Sequence, residues 1–300
     1  MINVYEQVDR NKRRSAMIMV IFVIFITAAV WLFSKALNYG PGLVGWALVF
    51  SGLMSFASYW WSDKIILAIS KARPADEKRD FQFFTVTENL ALASQIPMPK
   101  LYVIEDSAPN AFATGRDINH AVICVTTGLI SKLNRTELEA VVAHEISHIR
   151  NYDMRLMSMV TILVGMVILI SDWSLRGFQF SGRSRNREGG NVGAILFLIG
   201  LILALLSPLI AKLIQLALSR RREFLADASG AMLTKYPDGL ISALQKISAD
   251  KEPLEVANKA TAHLYIVNPF KGSLAKSWAA KFFNTHPPIE ERIKVLREMK

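Results

Sequence analysis

Five histidines are scattered through the 300 residues, and two of them fall four apart in His144-Glu145-Ile146-Ser147-His148. On an α-helix, positions i and i+4 stack on one face. His144 and His148 can therefore present two imidazoles to one metal ion. Glu145 sits one step round the helix, beside the metal but free to act on another atom. Two nitrogen ligands, an open coordination position and a neighbouring carboxylate are what a zinc hydrolase needs. A third ligand must come from elsewhere. In Ser219–Asp227, Glu223 and Asp227 are again four apart. Glu223 can serve as the third ligand and Asp227 as the partner of a ligating imidazole. Asp153, His263 and His286 are rivals for the ligand role. His120 and His263 stand alone in sequence and otherwise read as structural.

Spacing sorts the subclasses. A metzincin needs Gly and His at positions 151 and 154, which here hold Asn151 and Met154. An intramembrane protease needs an apolar setting, yet Arg135, Glu137, Glu139, Arg150 and Asp153 flank the motif. The motif therefore belongs to a region outside the bilayer. The run Glu137–Asp153 is expected to be helical. Asn134 and Glu137 have the spacing of an N-cap with a reciprocal acid. Leu138, Val141, Val142 and Ile146 give it an apolar face.

The chain is 52% hydrophobic, with a formal net charge of +10. Its apolar residues gather in segments. Residues 17–33 carry no charge and are about long enough to cross a bilayer. Residues 42–61 form a second candidate, ending in aromatics that favour the interface. Residues 156–170 are a shorter third, and 192–218 a long fourth in which only Lys212 is charged. Ser34-Lys35-Ala36 loosely resembles a signal cleavage site, but a second apolar span follows at once, so an uncleaved anchor is expected. Arg10, Lys12, Arg13 and Arg14 precede the first span, and Lys64, Lys71, Arg73, Lys78 and Arg79 follow the second, while the loop between holds only Lys35. This bias places the N-terminus and the region after residue 61 in the cytoplasm. The lone Cys124 suits a reducing compartment. The positive charge reads as an orientation signal; no nucleic-acid motif accompanies it.

Between the spans, residues 62–80 read as a connector and 81–95 as a helix stopped by Pro97 and Pro99. Short strands are expected at 101–104, 110–115 and 121–126. Near the C-terminus, Thr285-His286-Pro287-Pro288 precedes a helix with Ile289, Ile293 and Leu296 on one side.

Taken together, Pro109–Arg116 (PNAFATGR), the AHEISHI run, the SRRREFLAD run, the THPP turn and the apolar segments resemble the HtpX family. These are bacterial heat-shock membrane zinc proteases related to the type I CAAX prenyl proteases. The resemblance covers nearly the whole chain. It implies that His144, His148 and Glu223 bind one zinc per chain and that Glu145 is the catalytic base and acid. It also implies that Asp227 orients a ligand and that His286 donates to the developing oxyanion. Asn110, Ala111, Phe112 and Ala113 would form an edge strand for substrate. The expected fold is mainly α with a small β-sheet. It is an integral membrane protein of about four transmembrane helices with a cytoplasmic gluzincin-type zinc peptidase domain. Residues 1–61 would be the anchor, 62–155 the first catalytic part, 156–218 an apolar hairpin (spans at about 156–171 and 192–218), and 219–300 the second catalytic part. The implied activity is endoproteolysis of damaged or misfolded membrane proteins at the bacterial inner membrane. Its partners would be polypeptide substrates and the lipid bilayer, with no nucleic acid. The alternatives are a membrane scaffold with a structural zinc and a prenyl-protein protease.

Overall fold

The computed structural model describes residues 4–36, 42–165, 167, 220–257, 261–270 and 287–299. Two helices, α1 (Val4–Ala36) and α2 (Gly42–Trp60), pack on each other and lead into a short α3 (Ser62–Ile69). A four-stranded mixed sheet follows, of β1 (Arg73–Pro74), β2 (Lys100–Ile104), β3 (Ala111–Gly115) and β4 (Ala121–Thr126), in the order β1-β2-β4-β3. Strands β2 and β4 run parallel; β3 lies antiparallel to β4 at the end of the sheet.

Both faces of the sheet are covered, which is why its strands read as apolar runs without polar alternation. Val103, Ile123 and Val125 face a core built with α4 (Phe81–Ser94) and α6 (Arg135–Arg150). Ile104, Phe112, Val122 and Cys124 face Leu156, Met157 and Val160 of the helical stretch 153–165, with Ile18 and Phe22 of α1 in the same cluster. A short α5 (Thr127–Lys132) links β4 to α6. Helix α7 (Arg220–Thr234) crosses α6, and α8 (Pro237–Ala249) and α9 (Ile289–Arg297) close the far side.

Three local expectations are refined. The motif helix starts at the capping box of Asn134 and Glu137 but ends at Arg150, three residues earlier than expected. Tyr152 takes a left-handed φ of 57°, turning the chain so that a new helical stretch starts at residue 153. The connector 62–80 is not featureless: it holds α3 and β1, the latter pairing antiparallel with β2. Pro74 fits there because β1 is an edge, where a missing N–H breaks no inner ladder.

Among the described residues, no helix is long and apolar enough to cross a membrane. The apolar stretches 17–33 and 42–61 fall largely on α1 and α2. Most of the expected apolar hairpin and its Arg-rich loop lie outside the described residues.

Candidate metal centre

Helices α6 and α7 cross closely at Gly230. A Cβ there would stand 3.1 Å from the backbone nitrogen of His144. That approach brings Glu223 onto the face of α6 that carries both imidazoles. His144 Nε2 and His148 Nε2 are 3.2 Å apart. Glu223 Oε1 lies 3.6 Å from His148 Nε2, and its Oε2 lies 3.8 Å from His144 Nε2. These three residues form a group whose donor atoms all lie within 4.8 Å of one another. Tetrahedral ligands at the bond lengths typical of zinc stand about 3.3 Å apart, so the spacing fits such an ion. Of the rival ligands, His263 is turned to Thr161 Oγ1 at 2.8 Å and Asp153 lies behind His148. His120 is on the surface, bonded to Asp117.

Each imidazole is held from behind by a carboxylate. His144 Nδ1 stands 2.9 Å from Asp227 Oδ1, and His148 Nδ1 is 3.2 Å from Asp153 Oδ2. A carboxylate on Nδ1 leaves Nε2 as the ligating atom. Each carboxylate has in turn a buried guanidinium. Arg292 of α9 grips Asp227 through Nε at 2.8 Å and Nη2 at 2.6 Å, and its Nη1 is 3.9 Å from Glu223. Arg222 Nε is 3.4 Å from Asp153 Oδ1. Burial pushes the Asp227 carboxyl up, but the charge and hydrogen bonds of Arg292 outweigh it and hold Asp227 down at about 2. Burial pushes the His148 imidazole down. The Asp153 hydrogen bond and the charges of Glu223, Asp153 and Glu145 outweigh it and lift the group to about 9.

Glu145, Asp153, Glu223 and Asp227 are all buried, as are Arg222 and Arg292. Four carboxyl groups face two guanidiniums in this desolvated site, an excess of acids over arginines. Such an excess favours a bound cation, which agrees with the donor spacing and with the upward pull on His148.

Glu145 lies with His144, His148, Ala113, Met157, Leu264 and Ile266 around a cavity of about 10 Å³. That is room for about one water. Strand β3 is the edge strand expected from the sequence. Asn110 O accepts from Thr126 N on the β4 side, while Ala111 O accepts from Ile266 N at 2.9 Å on the outer side. By the alternation of an antiparallel pair, the main chain of Ala113 also faces outward. The Asn110 side chain clamps residue 267, donating from Nδ2 to Val267 O at 3.0 Å and accepting from Val267 N at 3.4 Å. Phe112 points away from the cavity, stacked edge-on against Tyr265. His286 lies outside the described residues.

Three features of this arrangement are not read from the sequence: Asp153 as the partner of His148, and the two arginines. Arg292 had a signal. It sits between Ile289 and Leu296 at helical spacing, on the stripe that packs inward, where a cation has to find a buried acid.

Comparison with known proteins adds an independent line. The model of peptidase family M48 matches residues 77–300. A protein named Protease HtpX homolog from Thermoanaerobacter pseudethanolicus is 44% identical over 297 residues, covering 98% of this chain and 97% of its own. One of the same name from Dictyoglomus turgidum is 43% identical, covering 98% and 94%. Among solved structures, the crystal structure of S. mikatae Ste24p aligns with a TM-score of 0.48 at 18% identity, over 96% of this chain and 66% of that one.

Proposed function

The chain belongs to peptidase family M48, and on that footing we propose that it is a membrane-bound, zinc-dependent endopeptidase of the bacterial inner membrane acting on damaged or misfolded membrane proteins. The observation that carries the reading is the convergence of His144, His148 and Glu223 from two helices, with Glu145 lining one cavity with the two imidazoles. These three residues would hold one zinc per chain. Bound there, zinc supplies Lewis acidity and brings the pKa of water toward about 7.

The chain's own residues do the rest. Glu145 takes the proton of the attacking water and returns it to the leaving amine. Asp227 and Asp153 hold the two imidazoles in the ligating tautomer. The outward main chain of Ala113 pairs with an extended substrate strand, so recognition reads backbone more than side chain. Asn110, Ala111 and Phe112 form the start of that edge. A substrate strand reaching Ala111 has to displace Ile266, which occupies its carbonyl. His286 donates to the oxyanion, as the resemblance to the HtpX proteases implies.

Membrane attachment is supported by α1 and α2. Val20, Ile24, Trp46 and Leu53 are each more than half exposed, a degree of apolar exposure that lipid would cover. With basic residues at the outer ends of α1 and α2, the N-terminus and catalytic residues would lie in the cytoplasm. A structural zinc in a scaffold is the weaker reading, because such a site has no use for a carboxylate beside an open position.

The test is Glu145→Gln in the full chain. It keeps stoichiometric zinc and loses casein cleavage by a factor of roughly 10²–10⁴. Loss of zinc, or cleavage at the wild-type rate, removes Glu145 from the mechanism.

A further inference from the structure

We infer that Asn11, on the N-terminal helix α1, is a positioning residue of the metal centre, acting on His148 through Asp153. The inference rests on the reading of His148 as a metal ligand. Asn11 lies among the basic residues that precede the first apolar stretch, yet it is 1% exposed. Its Nδ2 donates to Asn151 O at 2.8 Å and to Asp153 Oδ1 at 2.7 Å. Its Oδ1 accepts from Arg222 Nη1 at 3.5 Å. The other oxygen of Asp153 faces His148 Nδ1. One carboxamide thus bridges the anchor helix, the end of α6, the start of α7 and the carboxylate behind an imidazole.

The turn it grips needs gripping. Tyr152 is a non-glycine residue at positive φ, a conformation that persists only where its surroundings hold it. Asn11 holds the carbonyl just before it, and Lys12 Nζ lies 4.7 Å from the centre of the Tyr152 ring. That turn is what swings Asp153 back under His148. Asp227 has a bidentate arginine to fix it. Asp153 has a looser arginine contact, with Arg222 Nε at 3.4 Å, and the Asn11 bond at 2.7 Å is shorter. The two sides of the metal site are therefore braced from opposite ends of the chain, by α9 at one and by α1 at the other.

The experiment measures zinc affinity by competition with a chromophoric chelator, using the full chain in detergent. Asn11→Leu lowers affinity about 10–100-fold, the range for removal of a group that orients a metal ligand. Asn11→Ala, which removes the same bonds without adding bulk, carries the same expectation where the leucine variant does not fold. Ser15→Ala removes a buried hydroxyl bonded to Asn11 O one turn on and leaves affinity unchanged. The decisive readout is a double-mutant cycle. Asp153→Asn alone lowers affinity, and adding Asn11→Leu to it lowers affinity no further. Wild-type affinity in both Asn11 variants, or fully additive losses in the cycle, overturns the inference. His148→Ala separates the two readings: if it binds zinc as wild type does, the ligand assignment fails, whereas its loss of zinc beside unaffected Asn11 variants refutes the positioning role alone.

Discussion

Gly230→Ala tests whether the crossing of α6 and α7 sets the metal geometry. The new methyl would meet His144 N at 3.1 Å, and Ala143 C and His144 Cα at 3.3 Å, where ordinary contact begins at 3.4 Å. All three are backbone atoms of a helix buried in the core, so no flexible side chain can yield. The helices must separate by a few tenths of an ångström. Alanine gains about 1 kcal/mol over glycine in helix preference, against about 1–3 kcal/mol for an overpacked contact. The net change is a loss of about 0–2 kcal/mol, modest beside the effect on the site. Glu223 and Asp227 both ride on α7, so the donor gaps of 3.6 and 3.8 Å and the 2.9 Å brace on His144 all widen together. Zinc affinity should fall about tenfold or more, the scale set by disturbed partners of metal ligands. Chelator competition reads the affinity, and thermal unfolding with and without zinc reads the stability. Gly52→Ala in α2, whose Cβ would meet nothing within 4 Å, serves as the neutral control. A Gly230→Ala protein that melts higher than wild type and binds zinc equally well would refute the argument.

Three further outcomes follow from the same structure. Glu137 is buried and accepts from Asn134 N, Ser242 Oγ and Lys246 Nζ at 2.8, 2.5 and 2.7 Å. Burial pushes its carboxyl up, but these bonds hold it below the ordinary 4.5. Its stabilisation is therefore complete above that pH and is lost as pH falls through the lower folded value. Glu137→Gln should cost about 1–2 kcal/mol at pH 7, and melting curves of the two proteins should converge in acid; a constant gap from pH 7 to pH 3 would contradict this. Ala113→Pro deletes an outward N–H without touching the β4 ladder, so cleavage of casein drops while bound zinc, measured by metal analysis, does not. Chelation of zinc should lower the melting temperature reversibly, because the buried excess of acidic groups loses its counter-ion. Zinc at a thousand times its dissociation constant restores about 4 kcal/mol, and a melting curve indifferent to zinc would argue against the site.

What could be read from the sequence was what depends on local spacing. His144 and His148 announce themselves because i,i+4 geometry is the same in every helix, and the capping box at Asn134 needs only its own four residues. The three main strands were legible because both faces of the sheet are buried and their residues are apolar throughout. The end of α6 was not. No proline or glycine marks it, since a tyrosine takes the left-handed position and bonds from α1 hold it there. The supports of the site were equally silent. Asp153 follows the motif closely enough to be taken for a ligand, and only its contacts reveal a partner of His148. Arg292 and Asn11 lie 65 residues or more from the carboxylates they hold. Such distances carry no signal except an isolated polar residue on an apolar or charged stretch.

The same contacts limit how the chain can meet a membrane. Asn11 is bonded to Asn151 and Asp153, so whatever lies between them crosses a bilayer an even number of times. Helices α1 and α2 carry the apolar stretches of that interval, and they cross as a pair or not at all. Likewise His148 and Glu223 are 3.6 Å apart, so both lie on one side of any membrane the chain meets. These distances put each pair on one side of a membrane, without reference to charge. The charge pattern then agrees: basic residues flank the outer ends of the α1–α2 pair, and Lys35 alone lies between its apolar stretches. The bond that sets this parity is also the one that reaches His148 through Asp153, so if α1 and α2 insert in a bilayer, their insertion would be coupled to the geometry of the proposed metal site. An anchor threaded the wrong way would leave Asn11 across the bilayer from Asp153, and the metal centre would lack its brace.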